Sequence, residues 1–351
     1  MTRRLFEMET PMRHNLFNRV ATAAVLAFTA LNAPAADPAP KADANEWWLA
    51  VGHGGHRMLS RDGKAWEKRA SWGQPKHDQN DLNVAANFRG AFYAGGGYFS
   101  GRLTATRDGE KWSDGVLPAS SPIFGLEVLD DVLYAIDLRG AVFKTADGEK
   151  WELVARAEMP SKTHWVRGTA QGNGIILGSG DYGPAVAFDP KTGKITVTQM
   201  AGQVDKNATW QRVAFGNGVF VVSGQAGLLT MTKDGKTWEN NKTDPDRGDV
   251  QCVEFAGTEF LATTTKVTLR SADGKKWTET KAPPARQVRR VGEWLYTSTY
   301  APSKLARSKD GGKTWETLSN EGGWHFKAFA RGPLAGGPPP KAPGNPKPPA
   351  K

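Results

Sequence analysis

The apolar positions of this chain come in short bursts, each followed by a tight-turn composition. Residues 210–216 (WQRVAFG) lead through Gly216-Asn217-Gly218 into 219–222 (VFVV). The same couplet recurs at 82–88 and 91–94, 123–129 and 132–136, 165–170 and 174–177, 250–255 and 260–263, and 287–291 and 294–297. Runs of this length, rich in β-branched and aromatic residues and broken by Gly and Asn, read as paired strands of antiparallel hairpins. Long helical periods are few, so the pattern predicts an all-β chain.

A second phrase lies between the couplets. Ser60-Arg61-Asp62-Gly63-Lys64-Ala65-Trp66 returns around Asp108-Gly109, Asp147-Gly148, Asp234-Gly235 and Asp273-Gly274, and as Ser308-Lys309-Asp310-Gly311-Gly312-Lys313-Thr314-Trp315. A degraded copy runs from Phe188 to Ile195 around Asp189. Successive aspartates are 46, 39, 42, 45, 39 and 37 residues apart, which matches the ~40–45 residues of a four-stranded propeller blade. The chemistry suits a turn. Asp accepts backbone amides across the reversal, Gly supplies positive φ, Ser or Thr adds a hydroxyl, and Trp enters the outgoing strand to pack between blades.

The phrase resembles the Asp box, S-x-D-x-G-x-T-W, of the BNR (sialidase-like) repeat families. The copy at 308–315 fits it fully, and the others are one residue shorter. The resemblance implies a β-propeller in which the box joins the third and fourth strands of each blade, on the face away from the ligand site. It does not extend to sialidase chemistry: no F-R-I-P motif is present, and Phe88-Arg89-Gly90-Ala91 does not match it. In its expected fold alone, the chain also resembles the Asp-box propellers that act as assembly factors for membrane complexes.

Ring closure follows from what is missing at each end. Only one strand, 47–51, precedes the first box, whereas 324–330 (WHFKAFA) follows the last box and matches the inner strand at 210–216. The expected fold is therefore a seven-bladed β-propeller of four-stranded antiparallel blades, closed when the C-terminal strand joins the N-terminal blade.

The flanks read differently. Arg13 and Arg19 precede an apolar stretch at 20–31 and an Ala33-Pro34-Ala35 cleavage pattern, so 1–35 reads as a signal peptide and 36–45 as a linker. The propeller is expected over 46–331, and the proline-dense 332–351 as a disordered tail. Export predicts a periplasmic or secreted protein with no transmembrane segment once the signal is removed.

Composition narrows function. A single cysteine excludes an intramolecular disulfide and a cysteine-based metal cluster. The net charge of +10 is spread around the ring, with thirteen Lys and Arg in or beside the box turns. That is a solvated rim rather than a groove for a nucleic acid, so no nucleic-acid partner is expected. No cofactor and no metal are expected, and the chain should be a monomer.

Candidate chemistry gathers in the loops from second to third strands and from fourth strands to the next inner strand, which share one face of a propeller. All five histidines beyond residue 35 fall there, namely His53, His56, His77, His164 and His325. Ligand-binding candidates are His53, Asp78, Asp81, Trp165, Trp210, Arg247 and His325, and catalytic candidates are His77, His164, Asp181 and Tyr182. The expected function is a non-catalytic, exported propeller binding a glycan, peptide or protein partner on its funnel face, the partner being a polysaccharide or a cell-envelope protein. The alternative is a carbohydrate-active enzyme. A glycoside hydrolase would use two carboxylates from Asp78, Asp81, Asp181 and Asp249, and a polysaccharide lyase would pair His164 or His77 with Tyr182.

Overall fold

The computed structural model describes residues 45–71, 81–97, 100–115, 117, 121–162, 164–200, 209–240, 245–282, 285–299, 304–319 and 325–341. The proposed signal peptide, nearly all of the linker, His77, Asp78 and residues 342–351 lie outside them. Among the described residues no helix is long and apolar enough to cross a membrane.

Among the described residues twenty-seven strands form seven antiparallel sheets, six of four strands and one of three. The chain is a seven-bladed β-propeller. Its inner strands are Leu82–Phe88, Ile123–Leu129, Val166–Gly172, Trp210–Gly216, Val250–Phe255, Gln287–Val291 and, closing blade 1, Phe326–Pro333. Each begins within two residues of its expected position. Blade 1 is completed by Glu46–Gly52, Arg57–Ser60 and Lys68–Ala70, with Phe326–Pro333 innermost and paired from Glu46↔Pro333 to Gly52↔Phe326.

The core lies between blades. Leu177 and Ala187 of blade 4 pack on Val213 and Phe220 of blade 5, and Val221 and Met231 of blade 5 pack on Val253 and Phe260 of blade 6. The repeated tryptophans reach back to the preceding blade. Trp66 sits 6.3 Å from the ring of Tyr296, Trp151 lies 6.3 Å from that of Tyr93, and Trp238 Nε1 donates to Thr198 Oγ1 at 3.1 Å.

The Asp-Gly turns join third and fourth strands as expected, and they also join blades. In blade 5, Asp234 Oδ1 accepts the amides of Lys236 and Thr237 at 2.8 and 2.9 Å, while Thr232 Oγ1 accepts the Gly235 amide at 2.8 Å. Those amides hold the Asp234 carboxyl below its ordinary range. Gly235 has φ +70, and a Cβ there would meet Ala187 Cβ at 2.8 Å and Leu177 Cδ1 at 3.1 Å in blade 4. Asparagines at left-handed hairpin positions add a second latch. Asn173 Nδ2 donates to the carbonyls of Gly218 and Lys233, and Asn217 Nδ2 to those of Thr258 and Ala272, each pair in the next blade.

Two features depart from the sequence reading. The inner strand of blade 1 runs to Pro333 rather than stopping at 330, and residues 334–341 dock on blade 2 instead of hanging free. Leu334 is buried, the Ala335 and Gly336 amides donate to the carbonyls of Gly90 and Arg107, and Pro340 accepts the Ser113 hydroxyl. Proline blocks ladder donation but not carbonyl acceptance, so a proline-rich segment can still dock. Blade 2 has three strands among the described residues, Leu82–Phe88, Ala91–Gly96 and Arg102–Thr106. Its fourth is reduced to the bridge Ala105↔Ser113, and Gly115 at φ +68 turns the chain away. The docked segment bonds to that same Ser113 edge.

The glycine contact gives a controlled comparison. Gly193 has φ +68 but open space around its Cβ direction. Gly193→Ala should cost only the left-handed backbone penalty of ~1–2 kcal/mol. Gly235→Ala should cost on the order of 1–3 kcal/mol more, because it overpacks the seam with blade 4. Chemical denaturation of the two variants checks this, and equal losses would remove the glycine from the blade contact.

Candidate functional site

The site is built by a repeated irregularity. In six of the seven blades the inner strand slips by one residue against its neighbour near its start, and the extra residues are Asn83, Phe124, Arg167, Gln211, Gln251 and Lys327. A bulge leaves one residue out of the ladder and re-aims its side chain. Five of these residues, all but Gln211, whose side chain lies outside the described set, line a cavity of about 600 Å³ to which all seven blades contribute. Glycines make the slip possible. At Gly52 a Cβ would meet Phe326 Cα at 2.8 Å, and at Gly96 it would meet Leu82 Cα at 2.8 Å.

The lining is polar and mostly cationic. Arg167, Arg212, Arg286 and Lys327 face Asp81 and Asp249, with His53, His325 and Gln287 among them. Asp81 is the hub on the blade 1 side. Its carboxylate accepts His53 Nδ1 at 2.9 Å and the Gly54 amide at 3.2 Å, and it is ion-paired with Lys327. Across the ring, Arg167 grips Asp181 through Nε and Nη2 at 2.9 to 3.2 Å, and its guanidinium lies 5.0 Å from the ring centre of Trp165 and 5.8 Å from that of Phe124. Asp249 Oδ1 accepts the Ala226 amide at 2.8 Å.

His53, Asp81 and His325 all line the cavity. Asp181 is buried beneath Arg167. His164 and Tyr182 meet edge to face at 5.4 Å, and neither lines the cavity. Tyr182 holds φ +64 in its tight loop. Trp165 Nε1 donates to the Lys162 carbonyl at 3.2 Å. The backbone of Trp210 opens the inner strand of blade 5, and its side chain, like all of His77 and Asp78, lies outside the described residues. Arg247 does not line the cavity. The short turn Pro245–Arg247 directs it to Glu279 on the outermost strand of blade 6, at 2.9 Å.

A search of family models found no match, and no curated protein matches either. Solved structures do match. A YCF48 bound to a D1 peptide shares 15% identity at TM-score 0.56, over 72% of this chain and 85% of that one. YCF48 from Cyanidioschyzon merolae shares 16% at 0.56, over 73% and 89%. A chain of a nidogen/laminin complex shares 11% at 0.50, over 82% and 98%. They share the fold. At these identities the side chains of the funnel must be read from this chain alone.

Burial, with smaller contributions from Lys327, Arg286 and His53, pushes His325 down to about 4, against the opposing pull of Asp81. His56 is likewise pushed down to about 4, by burial and then by His53 and Arg57. Because the unfolded chain takes up these protons near pH 6.5, their contribution to stability is complete above that pH and is lost as pH falls toward 4. Glu127 acts oppositely. Burial pushes it up to about 7, so its contribution is complete below pH 4.5 and lost as pH rises through 7. Thermal melting between pH 7 and 4.5 should therefore fall more steeply for the native chain than for His325→Gln. Parallel curves would show that His325 is not held neutral.

Proposed function

We propose that the chain is an exported, non-catalytic propeller whose funnel binds a carboxylate-bearing peptide segment of a partner protein. The observation that carries this reading is the cationic lining: Arg167, Arg212, Arg286 and Lys327 come from four blades into one open cavity of about 600 Å³. A peptide-bound neighbour of the same fold supports it. The state of the carboxylates also favours binding over hydrolysis. Asp81 is held by Lys327 and His53, Asp181 by Arg167, and Asp249 by an amide, so each described candidate acid is committed to a structural bond. The His164–Tyr182 pair meets as packed rings. Export rests on the apolar stretch and cleavage pattern of the first 35 residues, and implies a periplasmic or secreted location with a cell-envelope partner. The box repeat supports placement among the BNR/Asp-box propellers.

A soluble peptide set graded in net charge provides the test. Acidic peptides should bind more tightly than neutral ones, and affinity should fall as salt rises from ~0.05 to 0.5 M. Arg286→Ala should weaken binding about tenfold, the scale of one lost charge-assisted contact, while Lys236→Ala on the Asp-Gly face should leave it unchanged. Binding only to neutral glycans, or loss on the Lys236 side, would reject the reading.

A further inference from the structure

The funnel has a second level. Below the mouth, a narrower cavity of about 290 Å³ is lined by Val84, Leu126, Val213, Phe215 and Phe329, with Glu127, Glu254 and Arg289 among them. Both cavities are lined by Asn83, Phe124 and Arg212, which places Arg212 where they meet.

Extending the peptide-binding reading, we propose that Arg212 is the anchor of the site and takes a carboxylate of the bound segment. The neighbouring cations already have acidic partners: Arg167 has Asp181, Lys327 has Asp81, and Arg289 lies 3.7 Å from Glu254. Among the described residues no carboxylate stands within ion-pair distance of Arg212. Its Nη2 instead donates to the neutral Gln287 Oε1 at 3.3 Å, and that oxygen also accepts Arg289 Nη2 at 3.1 Å. Two guanidinium groups thus converge on one uncharged acceptor at the neck of the funnel. Burial and then the charge of Arg289 push Arg212 down to about 9, against the weaker opposing pull of Glu254.

The acids of the lower cavity do not fill the role. Glu254 is drawn to Arg289, and Glu127 accepts the Thr169 hydroxyl at 2.7 Å and is pushed up to about 7. Burial of the guanidinium strengthens a charge-assisted bond formed there. A planar carboxylate matches the guanidinium fork through two parallel N–H···O bonds. Such a group is supplied either by the free end of a peptide or by an Asp or Glu side chain.

Side-chain guanidinium resonances of the labelled full chain, assigned through bonds from the backbone, read the site directly. The probes are N-acetylalanine for a chain end, N-acetylaspartate α-amide, with its β-carboxylate free, for a side chain, and N-acetylalanine amide as the neutral control. One or both carboxylates should shift the Arg212 Nε–H signal, the more effective of them identifying the source, and the amide should not. Arg212→Gln should weaken the carboxylate response of neighbouring funnel signals at least tenfold. The native titration does not depend on how that variant folds. An Arg212 signal that neither carboxylate moves, or that the amide moves equally, overturns the proposal. A shift at Arg212 with no peptide bound in the graded set would keep the anion site and remove the peptide reading. Peptide binding without a shift at Arg212 would do the reverse.

Discussion

The antiparallel pairing of Phe326–Pro333 with Glu46–Gly52 is the constraint on which the rest depends. Six blades are made from contiguous chain, but the remaining one needs both ends. Without that pairing, blade 1 would lack its inner strand, blades 1 and 7 would expose open edges, and the axis would not be enclosed. The funnel hub crosses the same join. Lys327 lies on the closing strand, His53 in the loop after its partner strand, and Asp81 at the start of blade 2. The aromatic packing of Trp66 against Phe326 and Phe329, at 6.4 Å each, ties closure to the first Asp-Gly turn.

Stability and recognition use different parts of the repeat. The Asp-Gly turns recur because each solves the same problem: backbone amides must be satisfied at a reversal, and the next blade must approach closely. The bulge positions at the funnel mouth carry Asn, Phe, Arg, Gln, Gln and Lys in six blades. A side chain released from the ladder no longer has to fit the sheet, so it is free to be chosen for a ligand. Variation there and uniformity at the turns give one architecture both a rigid scaffold and a specific mouth.

Much of the fold was legible because repetition makes weak signals add. Asp62, Asp108, Asp147, Asp234, Asp273 and Asp310 set a blade length, and the unmatched strand around Phe326 set the closure. The site was legible only where its residues sit in loops, as with His53, Asp81 and His325. Arg167, Arg212 and Lys327 lie inside strands, where alternation alone assigns them to a face and hides the bulge that re-aims the first and last of them. The glycines ending second strands, Gly52, Gly96, Gly180 and Gly224, mark four of the slips. At Gly52, Gly96 and Gly180 the signal is the close approach of the opposing backbone. Arg247 was misplaced for the converse reason: a loop position does not fix direction, and the turn before blade 6 aims it at Glu279. The docked segment 334–341 was hidden because proline content argues against strands but not against packing.

Native-state hydrogen exchange at residues 47–51 and 327–331 tests closure most directly. A closed ring requires these amides to exchange as slowly as those of the continuous inner hairpin at 213–222, through the same cooperative opening. Exchange at the rates of fraying termini would show that the chain ends do not build blade 1, and would leave the funnel without its Asp81–Lys327 side.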